Sequence, residues 1–370
     1  MRILQISSAR TFGGGERHVI DLARGLVARG HEVYGAIRPT CEWQDRLDFL
    51  PAENVFKVSI RNSFGVLSAI RIGEFVRDRE IEIVHAHVAR DYVPASIACL
   101  TAKSSRFVIT RHVMFPLKSF NRFALQNLGM AIGVSEPVGE MLRKIFSADK
   151  ITVIPNGISV SQFDHDESGT LREEFRRTHG IPRDVPVVGT LGELKPLKGQ
   201  RDLVLAAQEV VKEIPGCRFV VVGIDHTPDS RFRRELKRLV KVFGLEESFV
   251  WLDWVEETDA FFAGIDLFVS PSHSESFGLA ILEAMAHGKP LVATETDGAK
   301  ELLGDSEQLV SVNHPVQLAN RVTELLGKRD RCRELGSQNR SQAGARFSLE
   351  DMVESTERVY KELHSRNQTP

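Results

Sequence analysis

Glu275 and Glu283 bracket the segment Glu275-Ser-Phe-Gly-Leu-Ala-Ile-Leu-Glu283, which runs on into Ala284-Met-Ala-His-Gly-Lys-Pro290. Before it, Asp266-Leu-Phe-Val-Ser-Pro271 reads as a buried strand closed by a proline, so a helix can begin only after Phe277. A strand, a short polar loop and a glycine at a helix start make an anion site, because the free N–H groups of the first turn and the positive end of the helix dipole point the same way. A phosphate fits over Gly278 and Leu279. Glu283 follows about 7 Å further along the axis, and helical side chains lean toward the N-terminus. Its carboxylate can therefore reach hydroxyls attached near that phosphate. A carboxylate held out of water there needs hydrogen bonds, and a diol such as ribose supplies them. The competing reading is an amphipathic helix with two solvated glutamates, but Leu279, Ile281, Leu282, Ala284 and Met285 leave it little polar face.

The elements that must hold such a site repeat as strand, glycine loop, helix. Arg2 to Ile6 is a strand ending in a loop with Gly13-Gly-Gly-Glu16. A helix then carries Val19, Leu22, Ala23, Leu26 and Val27 on one face, stops at Gly30, and gives way to a strand over Glu32 to Ile37. Ile81 to Val84, Phe107 to Thr110 and Met130 to Val134 are further short apolar strands. The pattern restarts with Val187 to Leu191, Arg218 to Val222, Phe249 to Leu252, Leu267 to Val269 and Leu291 to Ala293. Such alternation predicts parallel sheets covered on both faces. Asp164-His-Asp-Glu-Ser-Gly169 is hydrophilic and patternless, which places a domain boundary there, between segments 1–165 and 166–345. Ser348 to Leu363 reads as a last amphipathic helix, within a third segment, 346–370.

Composition excludes several function classes. A chain of 370 residues fits two domains of common size, and 42% hydrophobic with 26% charged residues is a globular balance. Net charge is -2, yet residues 1–165 hold 21 Lys plus Arg against 16 Asp plus Glu, while residues 166–370 hold 27 against 34. The front half meets anionic surfaces more readily. Cys41, Cys99, Cys217 and Cys332 are scattered with no Cys-x-x-Cys pair, which predicts reduced thiols in a cytoplasmic protein rather than a disulfide scaffold or a zinc site. No signal peptide precedes the first strand, and no apolar run is long enough to span a bilayer. His85 and His87, two apart at a strand end, share a face, but no third ligand at fixed spacing accompanies them, which argues against a metal site.

Glu-x7-Glu leading into Glu-Ala-Met-Ala-x-Gly-Lys-Pro resembles the signature of the retaining glycosyltransferases of family 4. That resemblance implies the GT-B fold: two Rossmann-like α/β domains facing a central cleft, with the C-terminal helix crossing back to the first. It implies a donor site made of Phe277, Gly278, Leu279 and Glu283, with Glu275 beside the transferred sugar. Gly14, Gly15 and Glu16 then flank the donor diphosphate and the acceptor, and His112 contacts the sugar, His87 standing near it. In Gly192-Glu-Leu-Lys-Pro-Leu-Lys-Gly199, Lys198 matches the lysine that neutralises the leaving diphosphate, Gly223 lines the base pocket, and Glu301 matches a glutamate near the donor. The sequence departs from the family pattern where Glu193 replaces an arginine, Ser159 an aspartate, and Asp225 and Asp253 glycines. The implied reaction moves a hexose-type sugar from a nucleotide diphosphate to a glycan or lipid-linked acceptor, without metal or cofactor. Asp164-His-Asp166 imitates the Asp-x-Asp metal motif of the other glycosyltransferase fold, but it lies in the linker. Residues 113–125 interleave Phe115, Leu117, Phe120, Phe123 and Leu125 with Lys118 and Arg122, which suits either an interfacial helix on anionic lipid or a helix packed on the sheet. Two other classes remain: a sugar-nucleotide 2-epimerase of related fold, and a catalytically silent nucleotide-sugar binding protein.

Overall fold

The computed structural model describes residues 1–60, 65–101, 105–160, 165–255 and 258–365, without the side chains of 165–168. Its contacts divide the chain into two units, Met1–Gly157 together with the segment from Leu349 onward, and Ile158–Ser348. The sequence reading put the boundary some eight residues later, on a stretch whose residues 161–164 lie outside the described ones.

The first unit is built on seven strands: β1 (Arg2–Ser7), β2 (Glu32–Ile37), β3 (Val55–Lys57), β4 (Ile83–Ala86), β5 (Arg106–Arg111), β6 (Leu128–Gly133) and β7 (Ile151–Val153). They pair in parallel in the order β3-β2-β1-β4-β5-β6-β7, with Ile3 opposite both Val33 and Ile83. Ile3, Leu4, Ile6, Ile83 and Val84 are fully buried, as expected of central parallel strands covered on both faces. The first helix, Gly14–Ala28, buries Val19, Ile20, Leu22, Ala23 and Leu26 but leaves Val27 37% exposed, contrary to the predicted face. The closing helix, Leu349–Ser365, belongs to this unit although it ends the chain. It presents Met352, Val353, Thr356, Val359, Tyr360 and Leu363, spaced three and four apart, to the core. Gly25 makes that packing possible, since a Cβ there would lie 2.5 Å from a Val353 methyl.

The second unit has six strands, β8 (Val187–Leu191), β9 (Arg218–Val222), β10 (Phe249–Leu252), β11 (Leu267–Ser270), β12 (Leu291–Thr294) and β13 (Leu309–Val310), parallel in the order β10-β9-β8-β11-β12-β13. Phe268 and Val269 of β11 are fully buried; truncating such a phenylalanine to alanine costs about 3–5 kcal/mol. Both sheets reverse their strand order once, between β1 and β4 and between β8 and β11. In open α/β sheets the crevice at that reversal, beyond the carboxyl ends of the strands, is where ligands sit.

The sequence reading placed β4 two residues early and missed β3, β7 and β13. Those three lie toward the sheet edges with only two or three residues each, too short to show a pattern. Residues 113–125 do not form one helix: only Asn121–Ala124 is helical and Leu125 is buried, because Pro116 interrupts any helix across the segment. Among the described residues no helix is long and apolar enough to cross a membrane.

Candidate functional site

In the second unit two loops meet at the reversal point between β8 and β11. The loop after β8 carries Gly192, Glu193 and Lys198, and the loop after β11 carries Ser272, His273 and Glu275. The His273 amide donates to the Leu197 carbonyl at 2.8 Å, and the His273 ring meets Asp202 at 2.8 Å. Gly199 allows this contact: it has φ +66°, and a Cβ would fall 1.8 Å from the Pro271 carbonyl oxygen. Side-chain replacement there is blocked twice, by conformation and by space.

The result places Lys198 Nζ 2.5 Å from Glu275 Oε1, and the Ser272 hydroxyl donates to the same oxygen at 2.7 Å. Their side chains are 26% and 13% exposed, so the pair is half-sheltered at the mouth of the sheet. Glu275 is also fixed through its backbone, its carbonyl accepting the Gly298 amide at 3.0 Å. Directly after it comes the helix Leu279–Ala286, begun by Gly278 at φ +94°. Glu283 lies on this helix with only 5% exposure, and its neighbours Ile281, Leu282, Ala284 and Met285 are buried all round the helix. A solvated glutamate face is therefore excluded for Glu283. Phe277 is buried against Phe347, edge to face at 5.7 Å, so it acts as an anchor for the loop. Glu301 lies half-buried on the next helix, Asp297–Leu303, whose first turn contacts the Glu275–Phe277 loop through Gly298.

Three of the departures from the family pattern, Glu193, Asp225 and Asp253, have partners inside the unit. Glu193 is paired with Lys195 at 2.5 Å. Asp225 accepts the Thr227 and Arg233 amides at 2.8 and 2.7 Å, and Asp253 pairs with the Arg233 guanidinium. That guanidinium also donates to the Gly223 carbonyl at 2.6 Å, so the loop after β9 is held from below.

In the first unit the ends of β1, β4 and β5 bring four histidines together. His85 and His87 close β4, His112 follows β5, and His18 comes from the first helix. His87 Nδ1 lies 3.3 Å from His112 Nε2, and His87 Nε2 lies 2.7 Å from Gln5 Oε1. Gln5 Nε2 in turn donates to the Tyr360 hydroxyl at 3.2 Å, which meets His85 Nδ1 at 2.5 Å, while His85 Nε2 meets Thr110 Oγ1 at 2.8 Å. Burial first, then the mutual repulsion of the rings, holds His85, His87 and His112 well below the usual imidazole range. Burial, opposed by the Asn156 side chain, takes His18 down to about 4. All four rings are neutral at neutral pH. His18, His87 and His112 offer ring nitrogens within 4.8 Å of one another, a grouping that does not include His85 and that no spacing along the chain announces. Three imidazoles at that spacing are a donor set for a zinc-class ion, though one of their edges is already spanned by the His87–His112 hydrogen bond. Gly15 approaches the His112 ring closely, with a Cβ there 3.8 Å from it, and Glu16 is half-buried beside it in the chain, its carboxyl raised by burial.

Sequence reasoning missed Gln5, His18, Asp91 and Tyr360. A signal for Gln5 existed, since it interrupts the otherwise apolar Arg2-Ile-Leu-Gln-Ile6. Asp91 is fully buried and accepts the Ser8 amide at 2.8 Å, tying the loop after β1 to the helix after β4; burial pushes its carboxyl up to about 7. A cavity of about 1260 Å³ opens elsewhere on the second unit, among Arg176, Asp266 and Lys289, at the amino ends of β8, β11 and β12. It is the wrong end of the sheet for the chemistry above.

Comparison with known proteins agrees with this geometry. Residues 12–162 match the family model described as Glycosyltransferase Family 4, and residues 171–342 match Glycosyl transferases group 1. A D-inositol 3-phosphate glycosyltransferase of Segniliparus rotundus is 31% identical over 56% of this chain, which spans only 46% of that protein's length. The lipopolysaccharide core biosynthesis glycosyltransferase LpsE of Rhizobium meliloti is 24% identical over 93% of this chain and 94% of its own. Among solved structures, Anabaena HepE in complex with UDP and glucose superposes with a TM-score of 0.85 at 22% identity, covering 98% of this chain and all of the other. Two matched models covering both units, the two Rossmann-like sheets and the closing helix that returns to the first unit together place the chain in the family 4 glycosyltransferases, with the GT-B fold.

Proposed function

We propose that this protein transfers a hexose-type sugar from a nucleotide diphosphate to a glycan or lipid-linked acceptor of the cell envelope, with retention of anomeric configuration and without a metal. The observation that carries the reading is the Lys198–Glu275 pair at the mouth of the sheet, beside the N-terminus of Leu279–Ala286 and in front of the buried Glu283. The helix N-terminus and Lys198 receive the diphosphate, Glu283 the ribose diol and Glu275 the sugar. Neutralising the departing diphosphate this way supplies the stabilisation that a divalent ion provides elsewhere. Gly192 and Gly223 border the nucleotide, Glu301 adds to the donor side, and Gly14, Gly15, Glu16 and His112 act on the diphosphate, the acceptor and the sugar. The resemblance to the retaining glycosyltransferases of family 4 supports retention, with the leaving phosphate as the proposed base on the same face of the sugar. Uridine is the base to test first, because HepE has been solved with UDP and with UDP-glucose. The internal partners of Glu193, Asp225 and Asp253 favour a working donor site over a silent one.

A thermal-shift panel of uridine, guanosine and adenosine diphosphates and their sugars, with and without magnesium, tests this. One diphosphate should raise the melting temperature equally in both conditions. No shift with any of them, or a shift only with magnesium, refutes the assignment. Release of an epimerised nucleotide sugar without acceptor would select the epimerase instead.

Contact with a membrane surface has its own support. Phe115 and Phe123 are 69% and 74% exposed, with the exposed Lys118 and Arg122 between and beside them, in the basic half of the chain. Exposed aromatics next to cations suit anionic lipid. Flotation with anionic vesicles at low salt is expected; protein left at the bottom of the gradient removes the membrane from the reading.

A further inference from the structure

We infer that Tyr360, on the closing helix, is a positioning residue that sets the proton arrangement of His112 through Gln5 and His87. The inference rests on the assignment of His112 to the transferred sugar for its catalytic consequence, but not for its structural one.

Four neutral or polar side chains form an unbroken file from the closing helix to His112. A neutral imidazole carries one donor and one acceptor, so fixing one nitrogen fixes the other. Gln5 Oε1 can only accept, hence His87 Nε2, 2.7 Å away, holds the proton of that ring. His87 Nδ1 is then bare, and its partner at 3.3 Å, His112 Nε2, must donate to it. His112 then carries its lone pair on Nδ1. The amide of Gln5 keeps this orientation because its Nε2–H has an acceptor in the Tyr360 hydroxyl. That hydroxyl directs its own O–H to His85 Nδ1 and so can only accept from Gln5, while His85 Nε2–H donates to Thr110 Oγ1. Every donor in the file meets an acceptor, as buried polar groups require.

Removing the hydroxyl breaks the file at its anchored end. In Tyr360→Phe the Gln5 amide loses its acceptor, and turning it end for end lets Nε2–H donate to His87 Nε2 instead. His87 then carries its proton on Nδ1 and donates to His112 Nε2, which moves the proton of His112 to Nδ1. His112 Nδ1 thus turns from acceptor to donor although His112 itself has not been touched. The helix that crosses back thereby contributes more than apolar area to the first unit: Tyr360 is fully buried, and its ring packs edge to face with His85 at 5.7 Å.

The test is long-range nitrogen–proton correlation spectroscopy on protein labelled with 15N-histidine at neutral pH, with the His112 signals identified by their loss in His112→Gln. The parent should show His112 protonated on Nε2 alone. Tyr360→Phe should transfer a substantial part of that population to Nδ1, with kcat down about tenfold and the donor KM within about twofold. Gln5→Met, which keeps the volume and removes both amide links, should disturb the same signals in case Tyr360→Phe folds poorly. A parent protonated on Nδ1, or both variants with His112 nitrogens as in the parent and only a lower Tm, overturns the inference. A shifted proton with unchanged kcat would support it and instead refute the role of His112 in transfer.

Discussion

Lys198→Ala probes the centre of the donor site, and the structure sets its size. Lys198 Nζ and Glu275 Oε1 lie 2.5 Å apart with side chains 26% and 13% exposed. In the donor-free protein such a pair, screened from one side, is worth up to about 1 kcal/mol, and Glu275 retains the Ser272 hydroxyl when the lysine goes. Folding should therefore survive the change almost intact. The donor complex loses one charge-assisted contact to the diphosphate, about 1.5–3 kcal/mol, or roughly ten- to a hundredfold in affinity. Glu275→Gln acts oppositely on the same cation, since it releases Lys198 from its partner. Diphosphate affinity should hold or tighten while turnover falls, because the sugar loses its carboxylate. Titration calorimetry of both variants and the double variant, with the nucleoside diphosphate found by the stability panel, separates these effects; coupling between the two is expected because the side chains touch. A Lys198→Ala protein that binds the diphosphate as tightly as the parent would show that the phosphate sits elsewhere.

Glu283→Gln should weaken donor binding with kcat less affected, because an amide is a poorer acceptor for the ribose diol; unchanged donor KM would remove Glu283 from the nucleotide. Asp91 gives a pH signature. Its carboxyl is raised from 3.8 to about 7, so the folded state holds a proton that the unfolded chain gives up above 3.8, and stability is lost as pH rises from about 4 to 7. Asp91→Asn lacks that titration, so its stability relative to the parent, followed by denaturant melts, should improve across this window; a constant difference would show that Asp91 is ionised throughout. Exhaustive chelation should leave transfer intact, and a loss restored by magnesium would overturn the metal-independent mechanism.

Much of the second unit was legible in sequence because its information is local. Val187–Leu191, Arg218–Val222 and Phe249–Leu252 match the predicted strands residue for residue, and the proline and glycine around Ser272 to Gly278 fix where the helix can start. Gly192, Lys198 and the stretch from Glu275 to Gly278 lie on two short loops, so their neighbourhood followed once the strands were known to be parallel. The pairing of Lys198 with Glu275 did not follow, since it depends on β8 and β11 being neighbours and on Gly199 letting their loops touch. The first unit was less readable. His18, His87 and His112 come from three elements, and no spacing along the chain marks them as neighbours; only the order β1-β4-β5 brings them together. Tyr360 lies 355 positions from the glutamine it bonds, so its place beside Gln5 was decided by the closing helix docking on the first unit. Amphipathic periodicity identifies a helix and its apolar face. It carries no address for the surface that face will cover, and that address was supplied only by the tertiary packing of Val353 into the space left by Gly25.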